Sequence, residues 1–276
     1  MVVKIVTDST SDISPEVADA LGITVVPVYV RFGDEIYRDG VDINNDDFYQ
    51  KLISSPAHPS TSQPTPQDFA TVYSNCSEQV DDIISIHVSA KVSDAYNSAL
   101  QGKKMTKGKC QIEVIDSRFA SVGLALIVIA AARLARAGGS SSEVIEETRK
   151  AISQVRILGI LNTLKYLVLG GRISNSIVSI ARVANVKPLL TFENGEIVKA
   201  GLVRTFSQGV HRLYEFAKNN VPIQDLAIAY STVPEQVNQL KSNLGSVFPE
   251  EKILLTQLGT GLGAHVGPEV LLVALR

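Results

Sequence analysis

The residues best suited to chemistry in this chain are hydroxyls, and they come in clusters. Asp8-Ser9-Thr10, Ser60-Thr61-Ser62-Gln63-Pro64-Thr65, the stretch from Ser89 to Ser93, and Asp116-Ser117 each pair hydroxyl donors with a backbone ready to turn. Such side chains bond to neighbouring backbone groups, so any one cluster taken singly reads as a turn or a helix cap. Taken together, they could surround an oxyanion with neutral donors, which holds a negative charge without a buried ion pair. Three basic residues accompany them. His265 lies among Gly259, Gly261, Gly263 and Gly267, and a histidine flanked by glycines reads as a functional group in a loop. Arg204 follows an apolar run and offers a guanidinium fork to a phosphate or to a partner's acid. Arg172, after Gly170-Gly171, suits an inter-domain ion pair as well as a ligand contact.

Several other chemistries lack their residues. The nearest approach to a phosphate-binding P-loop, Gly102 to Gly108-Lys109, is one residue too long and ends in Cys110. Gly259-Thr260-Gly261-Leu262-Gly263-Ala264 has the spacing of a dinucleotide fingerprint, but only twelve residues follow it. That leaves no room for the helix, second strand and acidic ribose ligand of a Rossmann unit, so the segment is expected to be a glycine-rich turn. No Gly-x-Ser-x-Gly elbow occurs. Cys76 and Cys110 stand apart, and His58, His87, His211 and His265 are not paired at metal spacing, so neither a metal nor a cofactor is expected. Net charge is −2 with scattered Lys and Arg, which argues against nucleic acid as a partner.

The elements that must position these groups alternate between strand and helix. Strand-like runs at Val2–Val6, Thr24–Val30, Asp82–His87 and Gln111–Ile115 are separated by helical patterns, the first starting at Pro15 with Ser14 as its cap. Arg31–Gly40 reads as a polar hairpin or loop, and Asp46–Ile53, Gln67–Cys76 and Ser93–Thr106 as helices. Phe119–Ala137 is a strongly apolar helix closed by Gly138-Gly139, and Ser140–Val155 is amphipathic. This rhythm is that of a parallel sheet wrapped by helices, with ligands beyond the strand C-termini, where the hydroxyl clusters fall. The pattern then changes. Leu189–Phe192 and Ile197–Ala200 flank Asn194-Gly195, a hairpin signal, so antiparallel pairing enters the second half. Helices are expected at Ser207–Lys218 and Pro234–Leu244, and strands at Leu226–Tyr230, Ile253–Leu258 and Val270–Leu275. The expected fold class is α/β with two tightly packed domains, residues 1–155 around a parallel sheet and residues 156–276 around a mixed sheet. With 45% apolar and 20% charged residues the chain can bury a sizeable core. Its longest apolar run, near Val122–Ala132, is about half the ~20 residues of a membrane span. No leader segment precedes the first strand, and the reading is a soluble cytoplasmic protein.

Seven segments, in order, resemble the DegV family, and they run almost from end to end. They are Val6 to Asp12, Pro59 to Pro64, Ser89 to Ser93 with Tyr96, Ser98 and Ala99, and Asp116-Ser117 followed by Gly123. Then come Leu164 to Leu167 with Gly170-Gly171-Arg172-Ile173, Lys187-Pro188-Leu189 with Gly195 to Arg204, and Gly261 to Pro268 around His265. The resemblance implies one long-chain fatty acid held in a tunnel between the two α/β domains. It implies a non-catalytic carrier that presents the carboxylate to a separate fatty-acid kinase subunit. Thr61 or Ser62, with Ser93, would hold the carboxylate, and Arg204 and His265 would stand at the tunnel mouth or meet the partner. Ile157–Ile160 and Leu124–Ile129 are candidate tunnel walls. Independently of the resemblance, a monomer open to transient contact with a membrane is expected. The family pattern has Gly-Thr after the binding serine where this chain has Asp94-Ala95. Asp94 is expected to cap the following helix rather than face the site. Two alternatives stand beside the carrier: a lipid hydrolase or acyltransferase acting through Ser93 and His265, and a lipid sensor with no kinase.

Overall fold

Residues 2–108, 110–172 and 185–276 are described by the structure, a computed structural model. Ile173, the last residue of the Gly-Gly-Arg-Ile motif, lies outside them. Strand β1 (Val3–Asp8) is buried along nearly its whole length, as suits a strand covered on both faces. Ser14 caps α1 (Pro15–Leu21): its hydroxyl accepts the Val17 N–H, proline takes the first turn, and Gly22 closes the helix at φ 67°. β2 (Ile23–Val26), β6 (Asp82–His87) and β7 (Gln111–Asp116) complete a parallel sheet in the order β2-β1-β6-β7.

The run Thr24–Val30, expected as one strand, is divided at Pro27. Proline has no N–H for a ladder. β2 stays in the parallel sheet, and β3 (Tyr29–Phe32) enters a small antiparallel sheet with β4 (Glu35–Arg38) and β5 (Ser60–Ser62). Arg31–Gly40 is thus largely the β3–β4 hairpin. Helices α2 (Asn45–Ser54), α3 (Pro66–Ser77) and α4 (Ala95–Met105) fall within about two residues of their expected bounds.

α5 (Ser121–Arg136) is buried without a break from Ser121 to Ala132. A helix that is apolar all round has to be covered all round. It packs on β1 of the parallel sheet and on three strands of a second sheet. That sheet has the order β10-β9-β8-β13-β11-β12. Its strands are β8 (Arg156–Leu161), β9 (Lys187–Glu193), β10 (Glu196–Val203), β11 (Leu226–Tyr230), β12 (Leu254–Gln257) and β13 (Val270–Leu275). All pairings are antiparallel except β11 with β12, so the second half is a mixed sheet. Asn194 and Gly195 turn the β9–β10 hairpin at φ 51° and 85°, the left-handed pair a two-residue turn requires. α6 (Ser141–Gln154) starts with a capping box between Ser140 and Glu143. The largest apolar cluster contains Ile5 and Ile84 from one half and Ala227 and Val270 from the other, with α5 between them. The halves therefore share one core. α7 (Lys165–Leu169), α8 (Phe206–Lys218), α9 (Pro234–Leu244) and α10 (Thr260–Val266) complete the described helices. None is long and apolar enough to cross a membrane.

Candidate functional site

One cavity draws its walls from both sequence halves. Thr10, Thr61, Ser62, Gln63 and Ser93 supply polar groups, joined by Arg172 and His265. Val28, Val88, Val92, Ala120 and Leu167 supply apolar wall, as do Phe192, Ile197, Leu262 and Val266. The cavity is therefore amphipathic.

Thr61 and Ser62 lie on the edge strand β5, opposite Val30 and Tyr29. Their cluster was expected as a turn, but it pairs with β3. Ser93 ends the turn after β6, where its N–H bonds to Ser89 O and its hydroxyl accepts the Ala95 N–H at 3.2 Å. His265 is not in a loop. It sits in the last turn of α10, and its Nε2 is 2.7 Å from Thr61 Oγ1. Burial, with Arg172 and His58 nearby, pushes its imidazole down to about 4, so the ring is neutral at pH 7. Its Nδ1 is buried without a hydrogen-bond partner. Gly170 packs against that nitrogen, and a Cβ there would overlap it.

The expected site residues therefore divide. Thr61, Ser62, Ser93 and His265 meet at one cavity. Arg204 does not: it is exposed just before α8, with its N–H bonded to Gln208 Oε1 at 2.9 Å, and it is absent from the cavity wall. The arginine at the cavity is Arg172, whose Nη1 donates to Gly170 O at 2.6 Å. The runs Leu124–Ile129 and Ile157–Ile160, expected as walls, do not line it. α5 is enclosed between two sheets and β8 is an inner strand, so these residues are core, with Ile157 also bordering a separate cleft beside Ile152 and Phe192. Leu262 and Val266 line it instead, four residues apart on one face of α10. Reading that segment as a turn concealed them. Ser93 and His265 share no hydrogen bond, and no carboxylate orients His265, so the pair lacks the geometry of a nucleophile and its base.

A Ser–His–Asp series does occur beneath the site. Tyr73 Oη donates to Ser85 Oγ at 2.7 Å, Ser85 Oγ is 2.6 Å from His87 Nε2, and His87 Nδ1 is 2.9 Å from Asp8 Oδ2. All four residues are sealed at 0% exposure. Burial opposes ionisation of Asp8, but His87, Thr10 and the Val88 N–H together hold its carboxyl below the ordinary value. With no access for a substrate, the series braces the C-terminal ends of β1 and β6. Sequence gave no sign of it, because Asp8 and His87 are 79 positions apart.

Residues 2–275 match the family described as "Uncharacterised protein, DegV family". The chain belongs to the DegV family. A DegV domain-containing protein of Caldanaerobacter subterraneus is 33% identical over 270 residues, 97% of this chain and 96% of that one. A DegV family protein from Thermus thermophilus, described as fatty acid binding, superposes with a TM-score of 0.91 at 32% identity, covering 100% of both chains. A stearic-acid-binding protein from Eubacterium ventriosum gives 0.91 at 27% identity, covering 99% of this chain and 98% of that one. Asp94, where this chain departs from the DegV pattern, occupies the N-cap position of α4 but makes no side-chain bond to the helix backbone. Its carboxylate instead accepts from Asn97 Nδ2 at 2.9 Å, and Asp94 is not among the residues lining the cavity. The expected capping bond is absent, and the Asn97 contact takes its place.

Proposed function

We propose that this chain binds one long-chain fatty acid, with the carboxylate at Thr61, Ser62 and Ser93 and the chain along the apolar wall. The observation that carries this reading is the meeting of those hydroxyls with Leu262, Val266 and Phe192 in one cavity. The likeness to fatty-acid-binding DegV proteins of Thermus and Eubacterium supports it. Neutral donors suit a reversible carrier, because they leave no buried cation unpaired when the ligand departs. Most affinity comes from the tail: at ~0.8 kcal/mol per buried methylene, roughly fourteen give ~11 kcal/mol before the costs of binding. The chain acts without catalysis, as a cytoplasmic monomer, and presents the carboxylate to a separate kinase subunit. His265 borders the carboxylate, and Arg204, exposed on the surface, meets the partner.

Native mass spectrometry of the purified protein, with extraction of bound lipid, tests the first claim. One acyl chain per protein is the expected result. A protein that carries none and takes up no added palmitate refutes it. Formation of an acyl phosphate with ATP and a fatty-acid kinase, lost with Arg204→Ala while palmitate still binds, tests the second. Undiminished turnover in that variant removes Arg204 from the partner surface.

A further inference from the structure

The turn between β6 and α4 faces two ways. Ser93 lines the cavity that holds the hydroxyls, and the next residue, Asp94, lines another hollow, of about 420 Å3. Gln63, just past β5, borders both, so the two spaces adjoin. The hollow runs along one face of α4, where Asp94, Asn97, Ser98, Gln101 and Lys104 recur three or four residues apart. Its size lies within the ~300–1,000 Å3 typical of ligand pockets. Its chemistry differs from that of the acyl wall. A carboxylate, three side-chain amides, a hydroxyl and an ammonium offer both donors and acceptors, and the charges of Asp94 and Lys104 cancel. Asp94 Oδ1 accepts from Asn97 Nδ2 at 2.9 Å, and nothing among the described residues donates to its Oδ2. The side chains of Gln63, Gln101 and Lys104 likewise have no hydrogen-bond partner among the described residues. Such a lining matches a polyhydroxy group, because every hydroxyl both donates and accepts and two neighbouring hydroxyls can share one carboxylate. Asp94 also disfavours a second carboxylate beside Ser93 by like-charge repulsion, whereas an ester carries no charge to repel.

We propose that this hollow is a headgroup site for the monoester of a long-chain fatty acid with a small polyol such as glycerol, and that Asp94 is the residue that selects it. The ester carbonyl takes the donors of Thr61, Ser62 and Ser93 in place of a carboxylate. The free hydroxyls of the polyol pass Gln63 and bond to Asp94, Gln101 and Lys104. This rests on the fatty-acid reading above, which supplies the acyl wall and the donors beside it.

Delipidated protein offered equal amounts of 1-palmitoylglycerol, methyl palmitate and palmitate tests this, with the bound species counted by native mass spectrometry. The two esters are uncharged and share one acyl chain, so only the hydroxyls separate them. 1-Palmitoylglycerol should bind at one per chain and exceed methyl palmitate by about tenfold, the value of one hydrogen bond to a charged group. Asp94→Gly should lower the ratio of bound 1-palmitoylglycerol to bound palmitate by about tenfold. Gln101→Ala, at an exposed position of α4, should lower it in the same direction and serves if the first variant fails to fold. Equal binding of the two esters, or a ratio to palmitate that both variants leave unchanged, overturns the headgroup site, and palmitate bound in the same samples leaves the fatty-acid reading standing. A wild-type protein that takes up none of the three overturns both.

Discussion

Replacing Asp12 by asparagine should flatten the pH dependence of folding stability. Asp12 is buried at φ 52°, a left-handed conformation that asparagine also tolerates. Its Oδ2 accepts the Ser121 hydroxyl at 2.6 Å and its Oδ1 accepts the Gly259 N–H at 2.8 Å. Burial outweighs those bonds and, with the Asp39 and Asp8 carboxylates nearby, pushes the Asp12 carboxyl up to about 8. In the unfolded chain the same group titrates near ~3.9. Between these values the native state keeps a proton that the unfolded state has released. Stability from this group is therefore complete below about pH 4 and is lost as pH rises through about 8. About four pH units at ~1.4 kcal/mol each set a ceiling of ~5–6 kcal/mol. An asparagine has no proton to lose, and its amide can donate to Ser121 Oγ while its carbonyl accepts from Gly259. His265, depressed to about 4, works in the opposite sense and adds stability as pH rises toward its ordinary ~6.5. Subtracting the variant's curve removes that contribution. Urea denaturation of both proteins from about pH 5 to about pH 8.5 should show a wild-type advantage that shrinks steadily toward alkali. Parallel curves would refute the assignment of a neutral, buried Asp12.

Thr61→Val and Ser93→Ala should each weaken palmitate binding by roughly 10- to 100-fold, the value of one hydrogen bond to a charged group, as read by calorimetry. Unchanged affinity in either would remove that residue from the carboxylate set. Ser85→Ala strands both Tyr73 Oη and His87 Nε2 in the core and should cost ~2–5 kcal/mol in urea denaturation, whereas Tyr73→Phe removes one donor and should cost ~1 kcal/mol. Equal costs would mean that the series is not connected as described. Gly209 in α8 lies against Ile160, and a Cβ there would overlap Cδ1 of that side chain, so Gly209→Ala should destabilise by ~1–3 kcal/mol despite the better helix propensity of alanine. A stabilised variant would show that helix and strand can move apart.

Signals carried by a few neighbouring residues were legible in the sequence. Ser14-Pro15 started a helix and Asn194-Gly195 turned a hairpin, because each motif satisfies its own backbone. What depends on distant residues was not legible. The stretch around Gly259, Gly261 and Gly263 has poor helix propensity at ~1 kcal/mol per glycine, yet α10 forms. It does so because Asp12 accepts the Gly259 N–H and Asp39 accepts the Thr260 N–H at 2.9 Å, and because Gly261 and Gly263 let the helix close on Val28, Phe48 and Tyr49. Those partners are more than two hundred positions away. The hydroxyls of the site were visible as types and clusters, but Leu262, Val266 and Phe192 gained meaning only once the helix and the hairpin were placed.

α10 is gripped at both ends by the N-terminal half: Asp12 and Asp39 hold its start, and Thr61 meets His265 in its last turn. The chemistry of the site turns on that last contact. The 2.7 Å bond between Thr61 Oγ1 and His265 Nε2 has a single proton. If Thr61 supplies it, the Thr61 hydroxyl is spent and cannot donate to a carboxylate. If His265 supplies it, Thr61 accepts from the ring and its own proton is free for a ligand. A ring held to about 4 is neutral at pH 7, and its Nδ1 has no partner, so nothing in the protein fixes either tautomer. A bound carboxylate would fix it, because only the Nε2–H form makes Thr61 a donor. Nitrogen-15 spectra of His265 should therefore move toward the Nε2–H tautomer when palmitate is added, and the move should vanish in Thr61→Val. A ring that becomes protonated on both nitrogens would instead mean that the carboxylate pairs with His265 as a cation. A ring that does not respond would place the carboxylate away from Thr61 altogether.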